Sequence, residues 1–267
     1  MEHRIKFVHF SLGDGVTAVS APMGEKIYVI EGKHRAMVID TGMGIGSLKE
    51  CIDEFCRLPL VVVNTHGHPD HAGGNAEFDK VYLHPDDRAL YYQMVTRRFR
   101  TSDVEKIFGD EGKNYIKNIL DMSENIKPLS EGNIFDLGGR TVTVYKLEGH
   151  TKGSVIFYDS LTKWLFVGDA ISLKDTWVYL DYSTSLVRYR NSLLNFIMKK
   201  LEVIKILSGH EPNEATPELL NIRLECLNKI ISGELTGSNV TTFAGKGKRA
   251  TYKGTSLIYN EKRINDD

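Results

Sequence analysis

The alternation of apolar and polar positions divides the chain into short strand-like runs and amphipathic stretches. Val16–Ser20, Lys26–Glu31 and Ala36–Ile39 are β-branched or aromatic runs. Gly13-Asp14-Gly15, Met23-Gly24 and Gly32-Lys33 punctuate them, which predicts an antiparallel meander. From Ser47 to Cys56, Leu48, Cys51, Ile52 and Phe55 recur at helical spacing. Leu60–Val63 is continuously apolar, the mark of a strand buried on both faces. Another short strand is expected over 80–83, and residues 85 to 122 read as mainly helical, an insertion within about 85–127. Strands resume at 134–137, 141–147, 154–159 and 165–167. Helices over 191–200 and 217–231 flank a buried strand at 203–207, and a strand-like tail at about 241–260 is split by Gly245, Gly247 and Gly254. The strands fall in two blocks, each followed by helices. This predicts two similar β-rich halves packed face to face with helices outside, forming one domain over residues 1–267.

Composition narrows the partners. Thirty-four basic residues against thirty-five acidic leave a formal charge of −1, which argues against nucleic-acid binding. The short basic stretches, RRFR at 97–100 and GKGKR at 245–249, read as a solvated helix face and a solvated hairpin. Cys51, Cys56 and Cys226 fit no disulfide framework or zinc knuckle, so reduced, partly buried thiols in a cytoplasmic protein are expected. The opening MEHRIKFVHF lacks the apolar core of a signal peptide. No apolar run approaches the ~18 residues that span a bilayer, so no membrane partner is expected.

The chemistry concentrates in VVVNTHGHPDHAGGN, residues 61–75, which places His66, His68, Asp70 and His71 just after the apolar run. Residues two apart on an extended strand point the same way, so His66 and His68 are expected to aim at one point. Pro69 ends the extended run, and Asp70 is expected to cap a following helix. Imidazole and carboxylate are the donors of hydrolytic metal sites. Four candidates fill one site but not two. Three later stretches repeat the order of buried strand, small residue and ligand-type side chain: LEGHTKGS with His150, LFVGDAIS with Asp169, and ILSGHEP with His210. Singly, each reads as a structural residue; together they read as a site.

The ordered set THGHPDH, GHTKGS, GDA and GHEP resembles the metallo-β-lactamase-fold hydrolases, particularly their glyoxalase II-like branch. The resemblance runs over about residues 5–232. It implies an α+β fold, a four-layer αβ/βα sandwich of two β-sheets with outer helices, here with a helical insertion. By motif position it implies that His66, His68 and His150 hold one metal, that Asp70, His71 and His210 hold a second, and that Asp169 bridges them. Asp40, in IDTG, matches a position that braces the ligands from behind. One departure is Glu148, where the family usually has proline before the GHT glycine.

Two Zn(2+) per chain are the expected cofactors, with Fe or Mn as alternatives. A bridging water or hydroxide would attack the activated carbonyl of a small molecule, a thioester first, then a lactone or other ester, then a β-lactam. Asp70 is the expected catalytic residue, orienting that water or accepting its proton. Some lactonases of this fold have tyrosine where this chain has Ser172, and glyoxalase II carries a C-terminal helical domain where this tail is strand-like. The alternatives are a mononuclear iron oxidoreductase like the persulfide dioxygenases, using His66, His68, His150 and Asp169, and a phosphodiesterase or nuclease of the same fold. A homo-oligomer is compatible with the sequence.

His3, His9, His34 and His84 read as surface or structural, with 84–87 a turn that starts the insertion. Tyr91, Tyr92, Trp177 and Tyr179 read first as packing and only second as pocket walls. Lys152 and Lys174 read as exposed lysines near the ligand segments.

Overall fold

The computed structural model describes residues 6–210 and 214–266, so His3 and the Glu211-Pro212 end of the fourth motif lie outside the described residues. By its contacts the chain divides into two compact units. One runs to residue 129 and includes 134–142; the other comprises 130–133 and the chain from 143 onward.

The first unit contains β1 (Val8–Gly13), β2 (Val16–Ser20), β3 (Lys26–Glu31), β4 (Ala36–Ile39), α1 (Leu48–Asp53), β5 (Leu60–Val63), α2 (Pro69–Ala72), β6 (Val81–Leu83), α3 (Arg88–Met94), α4 (Arg97–Phe108), α5 (Gly112–Ile116), β7 (Ile126–Pro128) and β8 (Ile134–Asp136). Its seven-stranded sheet runs β1-β2-β3-β4-β5-β6-β7 in sequence order. The meander β1 to β4 is antiparallel, and β4 to β7 are parallel. Parallel pairing places the C-terminal ends of β4 and β5 side by side, and sites collect at such ends. Helix α1 starts where Ser47 Oγ accepts from Glu50 N–H at 3.2 Å. The Glu77 carboxylate adds a second cap, accepting from Leu48 N–H at 2.9 Å and Lys49 N–H at 3.0 Å.

The second unit continues with β9 (Thr141–Lys146), which the chain enters from β8, then β10 (Val155–Asp159), β11 (Trp164–Gly168), β12 (Asp175–Val178), α6 (Leu186–Ile197), β13 (Lys205–Ser208), α7 (Glu218–Ile231), β14 (Ser238–Thr242), β15 (Gly245–Tyr252) and β16 (Thr255–Tyr259). One sheet has the order β13-β11-β10-β9-β8 and another β12-β16-β15-β14. Strands β11 and β13 are parallel neighbours, with Gly168 opposite Ser208. Helix α6 buries Leu186, Tyr189, Leu193 and Phe196, one stripe at helical spacing, and α7 buries Leu219, Leu220, Cys226, Leu227 and Ile230. Both pack into one core with Leu165, Val167, Ile206 and Leu257.

Each unit thus joins a mixed sheet to helices, as the expected α+β class requires. Helix α6 starts at Leu186 rather than 191, because Ser185 Oγ accepts from Arg188 N–H at 3.1 Å and caps it there. The tail forms a small sheet with β12, a strand that two flanking charged residues conceal in the sequence. Three elements escape the pattern: β1 is mostly exposed, β7 ends in proline, and β12 has only four residues.

Candidate metal centre

In the first unit, β5 ends at Val63, so His66 and His68 lie in the loop beyond it rather than on a strand. The loop still brings them together: His66 Nε2 and His68 Nδ1 are 2.9 Å apart. The chain leaves the sheet there because Asp40, at the end of β4, captures it. Asp40 Oδ1 accepts from Thr65 N–H at 2.7 Å, and Oδ2 accepts from Thr65 Oγ1 at 2.8 Å. Thr65 Oγ1 lies in turn 2.9 Å from His66 Nδ1. Gly67 is required by close approach, since a Cβ there would lie 2.8 Å from the Asp87 carbonyl oxygen. Its N–H donates to Asp87 Oδ2 at 2.9 Å. Helix α2 is capped by His68, not Asp70. Pro69 has no N–H to satisfy and its fixed φ suits the first helical position. Asp70 therefore sits inside the first turn, with Oδ2 3.7 Å from His71 Nε2.

His71 is fully buried, and its Nδ1 lies 2.8 Å from Asp40 Oδ2. Its carbonyl accepts from Thr41 N–H at 2.8 Å and from Asn64 Nδ2 at 3.0 Å. Asn75 Oδ1 accepts from Thr41 Oγ1 at 2.8 Å, which closes the network. Asp40 adopts φ +68°, a left-handed conformation that a non-glycine residue holds only when its surroundings fix it.

In the second unit, Asp169 follows β11 and His210 stands two residues beyond β13. Gly209 N–H donates to the Gly168 carbonyl at 2.9 Å and holds the two strand ends together. His210 Nε2 is then 3.3 Å, and His150 Nε2 3.7 Å, from Asp169 Oδ2. His150 Nδ1 lies 2.7 Å from the Trp177 carbonyl oxygen. Ser183 Oγ donates to the His150 carbonyl at 2.8 Å, and Thr184 N–H to the Gly149 carbonyl at 2.9 Å. Gly149 is obligatory, because a Cβ would meet the Tyr189 ring at 2.4 Å. Tyr189 OH also donates to the Ala170 carbonyl at 2.6 Å, so one α6 residue supports the loops of both His150 and Asp169. Glu148 explains its departure from proline: its N–H donates to Ser192 Oγ on α6 at 3.1 Å, a bond that proline lacks.

Arg100 corrects the reading of RRFR as a solvated face. Arg97 and Arg98 are exposed, but Arg100 is completely buried. Its Nε donates to the Val95 carbonyl at 2.8 Å and its Nη1 to those of Met43 at 2.8 Å and Gly73 at 3.1 Å, while Nη2 reaches the Leu120 carbonyl. Burial pushes the guanidinium pKa down to about 10, so it stays cationic at neutral pH. It ties the helical insertion to the loop after Asp40 and to the end of α2. The one sign of this residue in the sequence is a cation three positions after Arg97 and two after Arg98, in a helix short of apolar side chains.

The other side chains set aside in the sequence fall mostly as expected. His84 starts a 3₁₀ turn over Pro85–Asp87, accepting from Asp86 N–H at 3.2 Å. Tyr91 is fully buried and donates to the Ser123 carbonyl at 2.9 Å, which makes it a packing residue. Lys174 lines an open groove of about 400 Å³ in which Asp175 and Arg249 already pair at 2.6 Å.

Imidazole and carboxylate donors at paired strand ends, with their outer nitrogens engaged by fixed acceptors, are the equipment of a metal-dependent hydrolase. The Metallo-beta-lactamase superfamily model matches residues 22–210, and the chain belongs to that superfamily. It is 28% identical over 277 residues to the acyl-coenzyme A thioesterase MBLAC2 of Homo sapiens, across 94% of this chain and 98% of that protein. The Gallus gallus acyl-coenzyme A thioesterase MBLAC2 is 30% identical over 230 residues, across 76% of this chain and 80% of that protein. A metallo-beta-lactamase from Pontibacter korlensis shares the fold, with a TM-score of 0.63 and 18% identity, covering 84% of this chain and 99% of that one. The chain is a metal-dependent hydrolase of the glyoxalase II-like branch, acting on a carbonyl-containing substrate.

Proposed function

We propose that the chain carries a dinuclear zinc centre that hydrolyses acyl thioesters. His66, His68 and His150 would hold one metal, Asp70, His71 and His210 the other, and Asp169 both. The observation that carries this reading is how the outer nitrogens of the histidines are engaged. His71 Nδ1 faces Asp40 Oδ2 at 2.8 Å, and His150 Nδ1 faces the Trp177 carbonyl at 2.7 Å. Each acceptor holds its ring as the tautomer whose Nε2 carries the lone pair, the form a metal needs. Donors limited to imidazole and carboxylate suit zinc. That the family match runs from residue 22 to 210 supports treating the chain as one domain.

When bound, the metals supply a nucleophile at neutral pH and polarise the substrate carbonyl. The chain's own residues do the rest. Asp70, fixed in the first turn of α2, orients the attacking water and takes its proton. Asp40 keeps His71 in register, and Trp177 does the same for His150. No cysteine serves as nucleophile, since all three thiols are buried. Those three unbridged thiols also support a reducing, cytoplasmic setting. The thioester preference rests on the likeness to acyl-coenzyme A thioesterases over nearly the full length of both chains.

The test is hydrolysis of acyl-coenzyme A, followed by free-thiol release, before and after chelation and after zinc is restored. Turnover that is lost and regained with zinc is expected. Turnover that survives complete metal removal would overturn the reading.

A further inference from the structure

We propose that the aromatic cluster of Trp177, Tyr179 and Phe243 is the subsite for the apolar acyl chain of the substrate, a deepening that rests on the thioesterase reading. Phe243 forms the tip between β14 and β15 and is 64% exposed. A contiguous exposed aromatic patch, unlike a single exposed apolar residue, marks a surface for an apolar ligand or partner. Phe243 belongs to an aromatic cluster: its ring centroid is 5.4 Å from that of Trp177, which in turn lies 5.5 Å from Tyr179.

The cluster is built rather than accidental. On β12, Thr176 and Val178 are buried toward the core, while Trp177 takes the opposite face with Ile258 and Val240. Tyr179 OH and Thr242 Oγ1 bond at 2.5 Å and fix the hairpin tip against the end of β12. Gly247 lets the two approach, since a Cβ there would lie 3.1 Å from Tyr179 Cβ and 2.8 Å from Ile258 Cγ2. Arg263 locks the segment after β12 by donating to the carbonyls of Tyr179, Asp181 and Ser183.

The cluster also joins the metal ligand. The backbone carbonyl of Trp177 accepts from His150 Nδ1 at 2.7 Å, and the segment that Arg263 locks returns Ser183 Oγ to the His150 carbonyl. One residue therefore braces a ligand with its backbone and offers a ring with its side chain. Asp175, on the same face, is held by Arg249 at 2.6 Å and by Ser256 Oγ at 2.6 Å. An aromatic surface suits a hydrocarbon chain.

The test compares acetyl- and lauroyl-coenzyme A as substrates of the zinc-loaded wild type and Phe243→Ser, with Phe243→Leu as the conservative variant. Phe243→Ser is expected to lower the lauroyl-to-acetyl ratio of kcat/KM about tenfold, through KM, and Phe243→Leu to restore most of it. A second readout needs no turnover. Laurate should perturb the fluorescence of wild type saturably through Trp177, the other tryptophan, Trp164, being buried, and the Ser variant should not respond. An unchanged ratio with unchanged laurate binding overturns the subsite while the thioesterase reading stands. No thioester turnover in wild type overturns that reading, and laurate binding then still decides whether the cluster takes an acyl chain. A change in oligomeric state by light scattering, without a change in the ratio, assigns the patch to a second copy of the chain and also overturns the subsite.

Discussion

The Asp40 carboxylate, just past the end of β4, lies 2.8 Å from His71 Nδ1 on α2, and Asp40 adopts φ +68°. The same side chain accepts from Thr65 N–H and Oγ1. One carboxylate therefore sets the loop carrying His66 and His68 and the tautomer of His71. Asp40→Asn, which tolerates the backbone conformation, should weaken metal binding about 10–100-fold while the fold persists. Competition with a chromogenic chelator measures this; an unchanged affinity would remove Asp40 from the account.

Arg100 is a structural bolt whose loss leaves buried carbonyls without donors. Arg100→Met should destabilise the metal-free protein by about 3 kcal/mol or more in urea unfolding. Arg100→Lys should recover only part of this, because an ammonium cannot span the same set of acceptors. A neutral effect of both variants would contradict the clamp.

Gly149 faces the Tyr189 ring with no room for a methyl group. Gly149→Ala should cost about 1–3 kcal/mol and displace His150, lowering metal affinity as well as thermal stability. A stable variant with full metal content would show that the loop relaxes without cost.

The thiols give a pH signature. Burial, reinforced by the Glu54 charge, pushes Cys51 up to about 11, and burial also raises Cys56 and Cys226. A folded pKa above the unfolded value contributes stability that is complete below the unfolded value and is lost as pH rises through the folded one. Tm should therefore hold steady up to about pH 9 and fall above it. A thiol reagent at pH 8 should label the native protein slowly and the unfolded protein at all three cysteines. Fast native labelling would contradict the burial.

Much of this was legible in the sequence. Apolar runs marked β2 to β5 because those strands are mostly buried, β5 fully so only at Val62 and Val63. The ligand motifs were readable because each sits just beyond such a run. What the sequence hid was support that comes from far along the chain. Asp87 accepts from the Gly67 N–H, and Arg100 reaches Met43 and Gly73. The Trp177 carbonyl beside His150 leaves no mark at all, because a backbone acceptor has no residue type. At the start of α2, proline at the first helical position outranks the aspartate that follows it, so His68 and not Asp70 takes the cap position.

The most direct test is the metal content per chain of protein purified without added metal, by elemental mass spectrometry, for wild type and Asp169→Ala. About two zinc ions are expected in the wild type, and metal and activity should be lost together in the variant. About one iron with little zinc, or a variant that keeps both metals and full turnover, would contradict the dinuclear zinc centre.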